Sequence, residues 1–164
     1  MGITFNADEL LGIAEQIERN GVAFYAAAAQ AVSAPEAVHL LNELSDWELT
    51  HLEIFTAMRG ALSQAEREAD TYDPENELAY YLQATADSVV FIAGQPPLAV
   101  LGEHPTLEGI LRVALAREKD SIVFYTGMRD YVPPRLGRER IERIIQEEVS
   151  HVAKLHRQLA ALGR

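Results

Sequence analysis

Four glutamates and two histidines in this chain are spaced so that they could hold a pair of metal ions. Glu48 and His51 form one Glu-x-x-His, Glu148 and His151 form another, and each is preceded thirty residues earlier by a glutamate, Glu18 or Glu118. The second set lies one hundred positions after the first, and Phe24-Tyr25 returns as Phe124-Tyr125 in the same register. A single Glu-x-x-His arises easily by chance; two copies, each with a glutamate at the same upstream distance, do not. On a helix, residues three apart differ by about 60° around the axis and roughly 4.5 Å along it, so the two side chains of each motif reach a common centre. Four carboxylates buried together would have to protonate or bear a heavy desolvation cost. Two divalent cations neutralise them, with two of the glutamates available as bridges and each histidine giving a nitrogen to one metal. Oxygen and nitrogen donors suit iron or manganese. A zinc peptidase is excluded, because no His-Glu-x-x-His is present.

These residues need long amphipathic helices to position them, and the periodicity supplies them. Small and apolar residues at Leu11, Ala14, Gly21, Tyr25 and Ala28 predict a first helix from about Thr4 to Val32. Ser33-Ala34-Pro35 reads as a stop and restart, and a second helix follows from Pro35 to about Leu62, or on to Ala69, with Leu41, Leu44, Glu48, His51, Phe55 and Met58 on one stripe. A shorter helix is predicted from Pro74 to about Ile92. The prolines and glycines of Gly94-Gln95-Pro96-Pro97 and Leu101-Gly102-Glu103-His104-Pro105 make an irregular crossover. Two further long helices span about Pro105 to Tyr131 and Pro134 to Leu162, the last with Ile141, Ile144, Ile145, Glu148, His151, Leu155 and Leu159 inward. In an antiparallel hairpin, residues equidistant from the turn lie at the same height. The midpoint of Glu18 and Glu48 is Ser33 and that of Glu118 and Glu148 is Pro133, each at a predicted turn. The reading is therefore all-α: two antiparallel hairpins, joined by a long helical crossover, that pack into a four-helix bundle with one ligand helix at each corner.

Composition narrows the function. A chain of 164 residues is the size of one domain, read here as a single metal-binding unit over residues 1–164. Its formal charge of -11 repels a phosphate backbone, so nucleic acid is not an expected partner. The absence of cysteine removes disulfides, thiolate catalysis and rubredoxin-type iron. Val22 to Val32, the longest nearly apolar stretch, is about half a membrane span, and no secretory signal pattern opens the chain. A cytoplasmic location away from the membrane is expected.

The sequence resembles the rubrerythrin branch of the ferritin-like di-iron superfamily, from about Leu10 to Leu162. The resemblance rests on Glu18 with Tyr25, Glu48-Leu49-Thr50-His51, Glu118 with Tyr125, and Glu148-Val149-Ser150-His151. It implies a ferritin-like four-helix bundle holding two iron ions, with manganese possible. The implied function is an oxidoreductase that reacts with hydrogen peroxide or dioxygen and oxidises ferrous iron, working as a homodimer or larger homo-oligomer. The rubredoxin domain that delivers electrons in typical rubrerythrins is missing. With no nucleotide-binding glycine motif either, electrons must come from ferrous iron or an external donor protein. Many rubrerythrins carry an extra glutamate three residues beyond the third-helix ligand; Ser121 stands at that position here, which implies the simpler symmetric centre. The same ligands would serve a ferroxidase in iron storage or detoxification, or a di-manganese catalase. A non-enzymatic alternative is a structural or partner-binding bundle with a vestigial metal site.

Around the six ligand candidates, other residues read less specifically. Tyr25 and Tyr125 are either core aromatics or hydroxyl partners of the opposite glutamates that orient them or relay an electron. Trp47 is expected in helix packing or a subunit contact, and together with the Ala-rich face of the first helix it underlies the expected oligomer. Glu147 is expected to be solvated, like its charged neighbours Arg138, Glu139, Arg140, Glu142 and Arg143. His39, His104 and His156 fall where they cannot join the centre.

Overall fold

The computed structural model describes residues 6–68, 77, 80–81, 97–101 and 105–163. Asn6 starts α1 (Ala7–Ala31) with a capping box: its side chain accepts from the Glu9 backbone N–H at 2.9 Å, and the Glu9 carboxylate accepts from the Asn6 N–H at 3.0 Å. The chain leaves the helix at Val32 in extended conformation and re-enters at Pro35, whose fixed φ suits the first helical position of α2 (Pro35–Gly60). A short α3 (Gln64–Glu68) follows. In the crossover, Glu77, Tyr80 and Tyr81 are helical and Ala99–Leu101 make a 3-10 turn. Most of the helix expected over residues 74–92 lies outside the described residues. Thr106 caps α4 (Leu107–Met128) by accepting from the Gly109 N–H at 3.1 Å, and α5 (Arg138–Leu162) closes the bundle.

The connection between α4 and α5 differs from the expectation. Met128 does not run on to Tyr131 in α-helix, because Arg129–Tyr131 tighten into a 3-10 turn, and Pro134–Leu136 make a second one in place of the first turn of α5. Gly137 joins the second turn to α5 with φ +87, a left-handed conformation open to glycine at little cost. The detour buries Val132 and Leu136 in the core, a tertiary gain that local proline signals do not reveal.

α1 packs chiefly on α2 and α4 on α5, so the two hairpins are the structural halves. Their apolar side chains form two clusters. One gathers Leu10, Leu11, Phe55, Met58, Phe124, Tyr125 and Ile141; the other gathers Phe24, Tyr25, Leu41, Leu44, Ile110, Leu111 and Leu155. On every long helix the ligand candidates fall between the residues of one cluster and those of the other. The bundle core is thus two apolar layers with a polar layer between them.

Candidate metal centre

That polar layer contains Glu18, Glu48, His51, Glu118, Glu148 and His151, all buried, from four different helices. Their donor atoms form two groups, each with its atoms within 4.8 Å of one another: Glu18, Glu48, His51 and Glu148 in one, Glu48, Glu118, Glu148 and His151 in the other. Glu48 and Glu148 belong to both. Glu18 and His51 stand at one end, Glu118 and His151 at the other. Both imidazoles turn Nδ1 inward: that of His51 is 3.1 Å from Glu148 Oε1 and 3.8 Å from Glu18 Oε2, and that of His151 is 3.0 Å from Glu148 Oε2 and 3.4 Å from Glu118 Oε2.

Burial and mutual repulsion set the proton affinities. Glu48 is pushed well above the usual carboxylate range by burial and then by the charge of Glu18; Glu118 is raised by burial and by Glu148. Burial acts upward on Glu148 too, but Glu118, His151 and His51 around it outweigh that and hold it below the usual range. Burial alone would lower both imidazoles, yet the adjoining carboxylates raise His51 to about 11 and His151 to about 9.

The tyrosines cross between the hairpins. Tyr25 of α1 donates its hydroxyl to Glu118 Oε1 of α4, and Tyr125 of α4 donates to Glu18 Oε1 of α1. Burial, followed by these carboxylates, pushes both phenols well above their ordinary value, so they stay protonated donors. Each holds the outer oxygen of an end glutamate and leaves Oε2 facing the centre.

Glu147 departs from the expectation that it is simply solvated. It is half-exposed, but its Oε2 lies 2.9 Å from Nε2 of His51, across the α2–α5 contact. Adjacency to Glu148 places it one residue around the helix, and only the lateral packing of the hairpins brings it to His51. Trp47 also lies nearer the centre than expected, its ring 6.4 Å from that of His51 and 6.2 Å from that of His151. His39 and His156 are exposed and stand apart from both groups; His104 lies outside the described residues.

Two more residues border the centre without having been singled out for it in the sequence. Arg117, 7% exposed, lies with its guanidinium carbon 4.4 Å above the Phe24 ring centroid, and burial lowers its pKa. A cationic side chain on the inward stripe beside Glu118 is the signal that could have marked it. Gly21 is needed for close approach: a Cβ there would come 2.9 Å from Cδ of Glu48. Gly21, Arg117 and Ser121, with Ile17, Tyr25, Glu48 and Glu118, line a cavity of about 10 Å³, space for roughly one water-sized molecule.

No protein-family model and no curated protein sequence matches the chain. A solved structure does: a candidate ferritin-like diiron-carboxylate protein from Thermotoga maritima, at 2.30 Å resolution, aligns over 98% of both chains with a TM-score of 0.76 and 22% sequence identity. The chain has the ferritin-like fold.

Within this ferritin-like bundle, the donor set fits a pair of divalent cations on a direct observation. Glu18 Oε2, His51 Nδ1, Glu118 Oε2 and Glu148 Oε1 are buried and, although the imidazole nitrogens lie close to the carboxylates, none of the four makes a well-aligned hydrogen bond among the described residues; all belong to the two groups above. Buried polar atoms are normally satisfied, so inward-facing orphans of this kind mark a place for cations.

Two outcomes follow from this geometry. Gly21→Ala adds a methyl group against the Glu48 carboxylate, the movable end of a side chain. The metal-free fold is therefore expected to keep or slightly raise its stability, alanine being the better helix former by about 1 kcal/mol, while divalent-metal affinity falls about tenfold or more as Glu48 is displaced. Thermal melts with and without Mn²⁺ check both halves. The second concerns pH. The stability given by the raised histidines is fully present below their unfolded value of 6.5 and is lost as pH rises through about 9 and about 11. Glu48 and Glu118, raised above 4.5, act in the same direction, because the native state holds protons the unfolded chain releases. Glu148, held low, acts in the opposite sense only in the acid range below 4.5, so above that range metal-free stability falls with rising pH. Metal takes the place of those protons, so the rise in Tm on adding Mn²⁺ is expected to be larger at about pH 8 than at about pH 6. Equal rises would contradict the sign.

Proposed function

We propose that the chain is a single ferritin-like unit of rubrerythrin-like type: a di-iron oxidoreductase that reacts with peroxide or dioxygen and oxidises ferrous iron. The observation that carries this reading is the pair of buried four-residue donor groups sharing Glu48 and Glu148. On this reading Glu18, Glu48, His51, Glu118, Glu148 and His151 are the metal ligands, and Glu48 and Glu148 span both positions. Two irons held there supply two one-electron oxidations, the number needed to reduce peroxide to water. Tyr25 and Tyr125 orient the end carboxylates through their hydroxyls and keep the outer oxygens from turning inward. The small cavity at Gly21 and Ser121 suits reactants of a few atoms. Among the described residues no helix is long and apolar enough to cross a membrane.

The test is anaerobic loading with ferrous iron followed by rapid mixing with hydrogen peroxide or air-saturated buffer. Oxidation far faster than that of free ferrous iron is expected. Reoxidation at the rate of free iron would defeat the reading, and oxygen evolution from peroxide by a manganese-loaded protein would replace it with a catalase.

A further inference from the structure

The internal repeat is broken at three positions that border the centre, Ile17 against Arg117, Gly21 against Ser121 and Trp47 against Glu147, and the last of these meets a histidine. Glu147 and Trp47 are equivalent residues of the two halves, each immediately before the shared glutamate of its motif. Glu147 meets Nε2 of His51 at 2.9 Å. The ion pairs of His151 among the described residues are with Glu118 and Glu148, both through Nδ1. The position equivalent to Glu147 holds the indole of Trp47, its ring centroid 6.2 Å from that of His151 and 6.4 Å from that of His51.

This difference matters through hydrogen-bond polarity. A histidine that offers Nδ1 to a metal carries its proton on Nε2, and that N–H needs an acceptor. A carboxylate there fixes the tautomer, holds the ring in plane and makes Nδ1 a stronger base. Indole has one N–H and no acceptor, so Trp47 cannot replace Glu147.

We propose that the centre is functionally asymmetric, and that Glu147 is a positioning residue making the Glu18–His51 position the tighter of the two, filled first, while the Glu118–His151 position beside Trp47 is the exchangeable one. This rests on the two-metal reading given above. It assigns the exchangeable position to divalent metal that enters and leaves, while the other position stays occupied.

Equilibrium titration of metal-free protein with Mn²⁺, a redox-silent stand-in for ferrous iron, tests the assignment without turnover. The wild type is expected to bind two ions in steps at least about tenfold apart. Glu147→Ala should weaken the tighter step about 10- to 100-fold and leave the weaker one unchanged, with Glu147→Gln, which keeps a neutral acceptor, in between. His151→Ala should keep the tight step, and His51→Ala should abolish it. Trp47→Glu, which supplies His151 with the missing acceptor, should tighten the second step and bring the two together. Two equal steps in the wild type, no response to Glu147→Ala in folded protein, or a tight step that survives His51→Ala would overturn the asymmetry while leaving the two-metal centre standing. Failure of the wild type to bind two ions would overturn both. Circular dichroism of each variant separates lost affinity from lost fold.

Discussion

Glu48→Ala and Glu148→Ala are each expected to lose tight binding at both metal positions, whereas Glu18→Ala and Glu118→Ala lose one. Glu48 and Glu148 belong to both donor groups, so removing either takes a carboxylate from two positions at once; Glu18 and Glu118 each belong to one. Charge gives the same order. Four carboxylates balance two divalent ions, and an ion next to a missing bridge keeps uncompensated charge in a buried layer. The measurement is metal content after anaerobic loading and gel filtration, with Tm recorded with and without ferrous iron. Wild type should retain two ions per chain and gain most from iron, because ligand that binds only the native state stabilises it by mass action. If the polar layer served helix packing alone, removing a buried charge would leave the alanine variants at least as stable as wild type, with equal responses to iron. That result would end the metal assignment.

Phe24→Ala and Phe124→Ala are expected to act in the opposite sense, on stability rather than stoichiometry. Both side chains are fully buried, and each meets the ligand-holding tyrosine beside it edge-on, with centroids 5.3 Å apart in the first half and 6.0 Å in the second. Truncation leaves a cavity in an apolar layer and should lower stability by roughly 3 to 5 kcal/mol. For a chain of this length that is a fall in Tm of roughly 6 to 20 °C. Phe24→Ala should lie toward the larger end, since it also uncovers the Arg117 guanidinium stacked on the ring. In the fraction that stays folded, metal content should remain near two. Denaturant unfolding of the metal-free variants, paired with metal analysis, checks both statements; loss of metal from folded Phe124→Ala would mean that the tyrosine beside it depends on the ring for its aim.

The stripe of Leu41, Leu44, Glu48, His51, Phe55 and Met58 on α2 could be read from the sequence because helical periodicity is a local property: the inward face repeats every three or four residues whatever packs against it. The turns at Ser33 and Pro133 then set relative heights within each hairpin, which is why the six ligand candidates could be named as one layer before the hairpins were placed together. The restart of α5 could not be read this way. Pro134 signals a first helical turn, but burial of Leu136 favours a 3-10 turn and a left-handed Gly137, and that gain exists only once the rest of the core is present.

The sequence by itself thus determined the all-α class, the doubled Glu-x-x-His set, its central height and the charge that calls for cations. Tertiary structure alone decided that Glu48 and Glu148 are the shared carboxylates, that Tyr25 and Tyr125 hold Glu118 and Glu18 across the bundle, and that Glu147 reaches His51 while Trp47 stands near both imidazoles. The physical reason is the same in each case. Spacing along a helix fixes direction and height, but which side chain meets which across the hairpins depends on their lateral packing and on rotamers chosen by neighbours distant in the chain.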